Sequence, residues 1–192
     1  MRVLIADDNL DRAEAVAARL RESGVTEIAF VEIGQILKDA VTAQTPDVVI
    51  VDMSRPDRDG LEGVRAVSAD NPRPIVMFVD DADLAFMEAA IEAGVSSYNV
   101  VGSKIPDVKP IVEAAVAMFR RHQDIAGKLR RAETAIDEQA MVHRAKVLLM
   151  RTNKMDEPTA HRWLQRRAMN RGKRLVEVAA EVVGAAKGDR QA

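Results

Sequence analysis

The chain has 192 residues, of which 47% are apolar, 30% charged and 3% aromatic, with a net charge of −2. That length suits one domain plus a small appendage, and the absence of cysteine excludes disulfides, thiolate metal sites and a cysteine nucleophile. Asp7 and Asp8 arrive too early for a signal peptide, and no apolar run nears the ~18 residues of a membrane span, so a cytoplasmic protein without membrane attachment is expected.

In chain order, Val3–Ala6 reads as a short buried strand. The helix after it, from about Asp11 to Ser23, has Ala13, Val16, Ala17 and Leu20 on one face and Gly24 at its end. Ile28–Val31 is a second strand and Ile33–Ala43 a second helix. Val48–Val51 is the most strand-like run, followed by a helix near Leu61–Ala69 and a strand at Ile75–Val79. Leu84–Ala93 is helical up to Gly94, and Ser97–Val101 is a fifth strand. Five β/α alternations predict an α/β, doubly wound parallel sheet over residues 1–119, with ligand chemistry at the carboxyl ends of its strands.

Beyond Pro110 the pattern changes. Ile111, Ala115, Met118, His122, Ile125, Leu129, Ala132, Ile136, Gln139 and His143 are spaced alternately four and three apart, a 3.5-residue period. This predicts a coiled-coil connector centred on 120–140 and a homodimer through residues 111–143, with His122 and His143 as interface residues. Past Met150 the heptads stop. Asp156 is a candidate N-cap, Pro158 falls in the first turn, and Gly172 ends that helix. Ala160, Leu164 and Ala168 share one face, and Leu175, Val178, Ala179, Val182 and Val183 form a stripe on the last helix. With Val142–Leu149 these make a three-helix bundle over 141–186, followed by a frayed tail at 187–192.

Charge follows the same division. Residues 1–119 carry a net −10 and residues 120–192 a net +8, and the stretch 144–174 holds ten basic residues against Asp156 and Glu157. Such asymmetry suits a polyanion at the basic end, or else a solvated helical surface.

Two resemblances sharpen this. Asp7, Asp8, Asp52, Pro56, Asp59-Gly60, Ala93-Gly94 and Tyr98 make residues 1–119 resemble a two-component receiver domain, a five-stranded flavodoxin-like fold. The resemblance implies a Mg²⁺ site of Asp7, Asp8, Asp52 and the Ser54 carbonyl, with Asp52 as the phosphoacceptor position. Val79 and Val101 stand where the receiver pattern has a hydroxyl residue and a lysine, neither of which valine can replace, and Lys104 would need a shifted register. Three acids without that lysine should repel one another unless a cation binds. A degenerate receiver fold kept for dimerisation or docking is therefore the favoured reading.

Arg144-Ala145-Lys146, Leu148-Leu149-Met150, Ala160, Leu164, Arg167-Ala168-Met169 and Arg174-Leu175-Val178-Ala179 resemble the RNA-binding ANTAR domain of bacterial transcription antiterminators. That resemblance implies binding to paired hairpins in nascent leader RNA, acting on the RNA polymerase elongation complex indirectly. Candidate RNA-binding residues are Arg144, Lys146, Arg151, Arg162, Arg166, Arg167, Asn170, Arg171 and Arg174, since guanidinium groups serve phosphates and splayed bases alike. Trp163 is read as a packing residue. Val147 stands where the ANTAR pattern has glycine, and the turn Thr152–Met155 lacks one. The arrangement, including Val79-Asp80-Asp81 and Lys109-Pro110-Ile111, is similar to nitrate/nitrite-responsive antiterminators, which implies control by a ligand-sensing partner protein and no enzymatic activity. The rivals are an Asp52 phosphorylation-dependent regulator with RNA or DNA output, a helix-turn-helix DNA reader, a Mg²⁺ phosphatase and a scaffold.

Overall fold

The computed structural model describes residues 1–32, 36–53, 58–101 and 107–188, in two compact units, Met1–Gln123 and Asp124–Ala192. In the first unit, β1 (Arg2–Ala6), β2 (Glu27–Val31), β3 (Val48–Met53), β4 (Ile75–Val79) and β5 (Ser97–Val100) alternate with α1 (Leu10–Glu22), α2 (Ile36–Gln44), α3 (Arg58–Asp70) and α4 (Leu84–Ala93). The strands lie parallel in the order β2-β1-β3-β4-β5. This is the doubly wound arrangement, with the topological switch between β1 and β3.

The period-two alternation of each strand builds two cores, one per face. Leu4, Val49, Val51, Ile75 and Met77 face Leu37, Val41, Val64, Val67 and Ala90 of α2, α3 and α4. Val3, Ile5, Val48, Ile50, Val76 and Phe78 face Ala13, Val16, Ala17 and Leu20 of α1, together with Val108, Val112 and Ala115 at the start of α5 (Val108–Asn153). The register pairs Ala6 with Val51, so the residues that follow, Asp7 and Asp52, emerge side by side at the carboxyl edge.

Helix α5 runs for 46 residues without a break, so the expected connector and the first helix of the bundle are one element. The apolar positions on it at Met118, Ile125, Leu129 and Ile136 are all more than half exposed. Helices α6 (Glu157–Arg171) and α7 (Leu175–Gly188) complete the second unit. Asp156 caps α6 by accepting the Thr159 N–H at 3.0 Å, and Gly172 ends it in the left-handed region at φ 59°. Ala145, Leu149, Ala160, Leu164, Ala168, Val178 and Ala179 form the buried core of this bundle, with Trp163 packed against it. In the turn between α5 and α6, Lys154 adopts φ 52°, a conformation that disfavours side chains by about 1–2 kcal/mol. This is the turn in which the sequence has no glycine. Among the described residues no helix is long and apolar enough to cross a membrane.

The differences from the sequence reading are at element ends. β5 stops at Val100, one residue early, and the expected first turn of α2 at 33–35 lies outside the described residues. α7 runs to Gly188, so the expected frayed tail begins two residues too early, and its remainder from 189 onward lies outside the described residues.

Gly94 closes α4 at φ 106°, and a Cβ there would run into the side chain of Ser68 on α3. Gly94→Ala is therefore expected to lower unfolding free energy by about 2 kcal/mol, measured by urea denaturation. A loss of only a few tenths would show that α3 and α4 are free to move apart.

Candidate functional site

The carboxyl edge of the sheet brings Asp7, Asp52 and Asp80 together, and the cation among them is Arg12. Asp7 follows β1 and is 7% exposed, whereas Asp52 lies in β3 at 4%. Arg12 sits in the first turn of α1 and reaches back over the strand ends. Its Nη2 donates to Asp7 Oδ1 at 2.7 Å and its Nε to Asp7 Oδ2 at 2.9 Å, a bidentate fork. Nη2 also donates to the Asp52 carbonyl at 3.3 Å, Nε lies 3.2 Å from Asp52 Oδ1, and Nη1 lies 3.9 Å from Asp80.

Local hydrogen bonds hold this arm in place. The Asn9 N–H donates to Asp7 Oδ1 at 2.8 Å, and Asn9 Oδ1 accepts the Arg12 N–H at 3.2 Å as the N-cap of α1. The spacing Asp7, Asn9, Arg12 thus closes a small ring that starts the helix and aims the guanidinium at the carboxylates.

This corrects the electrostatic expectation for the pocket. Part of the expected repulsion is offset from within the chain by Arg12, and sequence reasoning missed both Arg12 and Asp80. The expected metal ligands do not fit a Mg²⁺ ion in this arrangement, because both Asp7 oxygens already accept from Arg12, and Mg²⁺ needs free oxygens at about 2.0–2.1 Å in octahedral geometry. Among the described residues no group of three or more His, Asp or Glu side chains is arranged to hold a metal. Asp8 is exposed, and Ser54, Pro56 and Lys104 lie outside the described residues. Val79 is fully buried in the core, and Val101, just past β5, packs on the opposite face of the sheet.

In the second unit, eight of the nine candidate RNA-binding residues are exposed and Lys146 is half-buried. They fall into two sets. Lys146 pairs with Glu157 at 2.6 Å, Arg171 with Glu181 at 2.7 Å, and Arg174 with Glu138. Lys173 joins Glu181 at 2.5 Å. Lys146 and Arg174 also line a cavity of about 410 Å³ with Gln139, His143 and His161. By contrast, Arg144, Arg151 and Arg166 have no carboxylate partner among the described residues, and Arg162 donates only to the Pro158 carbonyl at 3.3 Å. The Arg167 guanidinium lies 5.0 Å from the centre of the Trp163 ring, a cation–π contact that covers the tryptophan. Val147, Met150 and Met169 are exposed among these cations.

Comparison with known proteins follows the same division. Residues 3–100 match the response regulator receiver domain, and residues 130–183 match the ANTAR domain. The transcriptional regulatory protein PdtaR of Mycobacterium tuberculosis is 33% identical over 189 residues, covering 97% of this chain and 92% of PdtaR. The chain belongs to the response regulators that join a receiver domain to an ANTAR domain. The DNA-binding response regulator MtrA of Mycolicibacterium smegmatis is 30% identical over 123 residues, 64% of this chain and 52% of MtrA. A signal receiver domain of a modulated diguanylate cyclase from Desulfovibrio desulfuricans G20 shares the fold at a TM-score of 0.51 and 18% identity, covering 62% of this chain and 96% of that one.

Within this receiver, burial pushes the Asp52 carboxyl up to about 6. The Arg12 charge opposes that rise, and Asp7 and Asp80 add to it. Its Oδ1 accepts no hydrogen bond among the described residues. An acid whose folded pKa lies above its unfolded value of about 3.9 binds more protons when folded, so stability falls as pH rises between about 4 and 6. The full penalty is present above about pH 6. Asp52→Asn removes it, and is expected to stabilise the protein by about 1–3 kcal/mol at neutral pH and little below about pH 4. Thermal melts across pH check this, and a gain independent of pH would contradict it.

Proposed function

We propose that this response regulator binds paired hairpins in nascent leader RNA through its ANTAR domain and holds an antiterminator structure that lets polymerase read through. The observation that carries the reading is the set Arg144, Arg151, Arg162 and Arg166, without a carboxylate partner among the described residues and exposed on the bundle whose sequence matches that domain. Unpaired guanidinium groups can engage phosphates without first giving up a carboxylate, whereas Lys146, Arg171 and Arg174 must exchange one partner for another. Exposed Met150, Met169 and Val147 supply apolar contact beside them, which suits splayed loop bases.

Control, in this reading, comes through a ligand-sensing partner protein docking on the receiver. Val79 and Val101 support it, because docking needs no hydroxyl or ammonium to read a phosphoryl group. The protein works as a cytoplasmic homodimer through the stripe of α5, whose Met118, Ile125, Leu129 and Ile136 would otherwise stay wet.

Two measurements test these parts separately. Arg162→Ala with Arg166→Ala is expected to weaken binding to two-hairpin RNA by about tenfold or more, and to flatten the slope of log K against log salt by about 1.5. Unchanged affinity in a folded double variant would mean that RNA lies on another face. Ile136→Glu is expected to turn a dimer into a monomer in sedimentation equilibrium. A native mass that does not change would remove the stripe from the interface.

A further inference from the structure

We propose that Arg12 is a built-in cation that takes the place of a divalent metal in the receiver pocket and closes that pocket to Mg²⁺. This goes beyond the RNA-binding reading and does not rest on it. Both oxygens of the buried Asp7 accept from it, and the same fork touches the Asp52 carbonyl and approaches both the Asp52 and the Asp80 carboxylates. A bound metal would have to draw on that same set of oxygens. The two occupants are therefore mutually exclusive at Asp7.

Preorganisation decides which of them wins. The Asn9 cap fixes the backbone at Arg12, and the Asn9 N–H fixes the Asp7 carboxylate, so little further ordering is needed to close the fork. A tethered charge acts at high effective concentration, whereas Mg²⁺ must shed tightly held water and evict the arginine first. The positions of the pattern's hydroxyl and lysine are replaced in parallel, since Val79 and Val101 pack into the two cores. The Asp7 side of the pocket thereby keeps its own counter-charge, whatever the cellular Mg²⁺.

The test uses the full chain and Mg²⁺ alone as the probe. In the wild type, the slowly exchanging Arg12 Nε–H resonance and the melting temperature are expected to stay unchanged on adding millimolar Mg²⁺. In Arg12→Gln, calorimetry is expected to show Mg²⁺ binding that the wild type lacks, and Mg²⁺ is expected to raise the melting temperature by several degrees. The proposal is overturned if Mg²⁺ shifts the wild-type resonance and stabilises the wild type, or if folded Arg12→Gln binds Mg²⁺ no better than the wild type. Should Arg12→Gln fail to fold, the wild-type resonance and melting temperature decide the question, because neither depends on a variant.

Discussion

Two carboxylates buried at the carboxyl edge of a parallel sheet need a counter-charge, and here one arginine pairs with Asp7 and offsets the burial of Asp52 only in part. The strand register forces Asp7 and Asp52 together, and apolar packing on both faces of the sheet leaves water little access to them. Removing Arg12 would leave the buried Asp7 carboxylate without its bidentate partner, which is costly even though the guanidinium is itself partly exposed. Arg12 therefore links the start of α1 to the ends of β1 and β3, and structure and electrostatics cannot be varied independently at this edge.

The ANTAR bundle is held by different means. Its core is small and built largely from alanine, which lets α5, α6 and α7 approach closely but buries little area per residue. The caps at Asp156 and Gly172 are correspondingly important, whereas the exposed ion pairs of Lys146 with Glu157 and of Arg174 with Glu138 add little. Those pairs consume some of the positive charge, because Glu157, Glu138 and Glu181 hold Lys146, Arg174, Arg171 and Lys173. Lys146 and Lys173 hold the carboxyls of Glu157 and Glu181 below the usual range, chiefly through their hydrogen bonds. The net +8 of this half is thus spread unevenly, with Arg144, Arg151, Arg162 and Arg166 left without a carboxylate partner among the described residues.

Much of this was readable in the chain, and the reason is local. β4 and α4 begin and end where Ile75–Val79 and Leu84–Ala93 predict, and Gly94 acts within a residue of its helix end, while the Asp83 cap at the start of α4 went unread. Asp156 and Gly172 mark α6 by the same short-range chemistry. What escaped notice depends on reach. Arg12 crosses from a helix to three strand ends, and nothing in hydrophobic periodicity marks an exposed-looking arginine as the pocket's cation, although its spacing from Asp7 and Asn9 could have raised the question. The pairing of Arg174 with Glu138, far apart in sequence, was equally invisible. The turn without glycine was visible as a departure, and only the backbone showed that Lys154 adopts the left-handed conformation itself.

The measurement that bears most directly on the account is the affinity of the full chain for two-hairpin leader RNA and for a loop-scrambled control, each with and without acetyl phosphate and Mg²⁺. The account predicts loop-dependent binding that acetyl phosphate leaves unchanged, with no phosphoryl group on Asp52. Phosphoryl incorporation at Asp52 together with a changed affinity for the hairpins would contradict it.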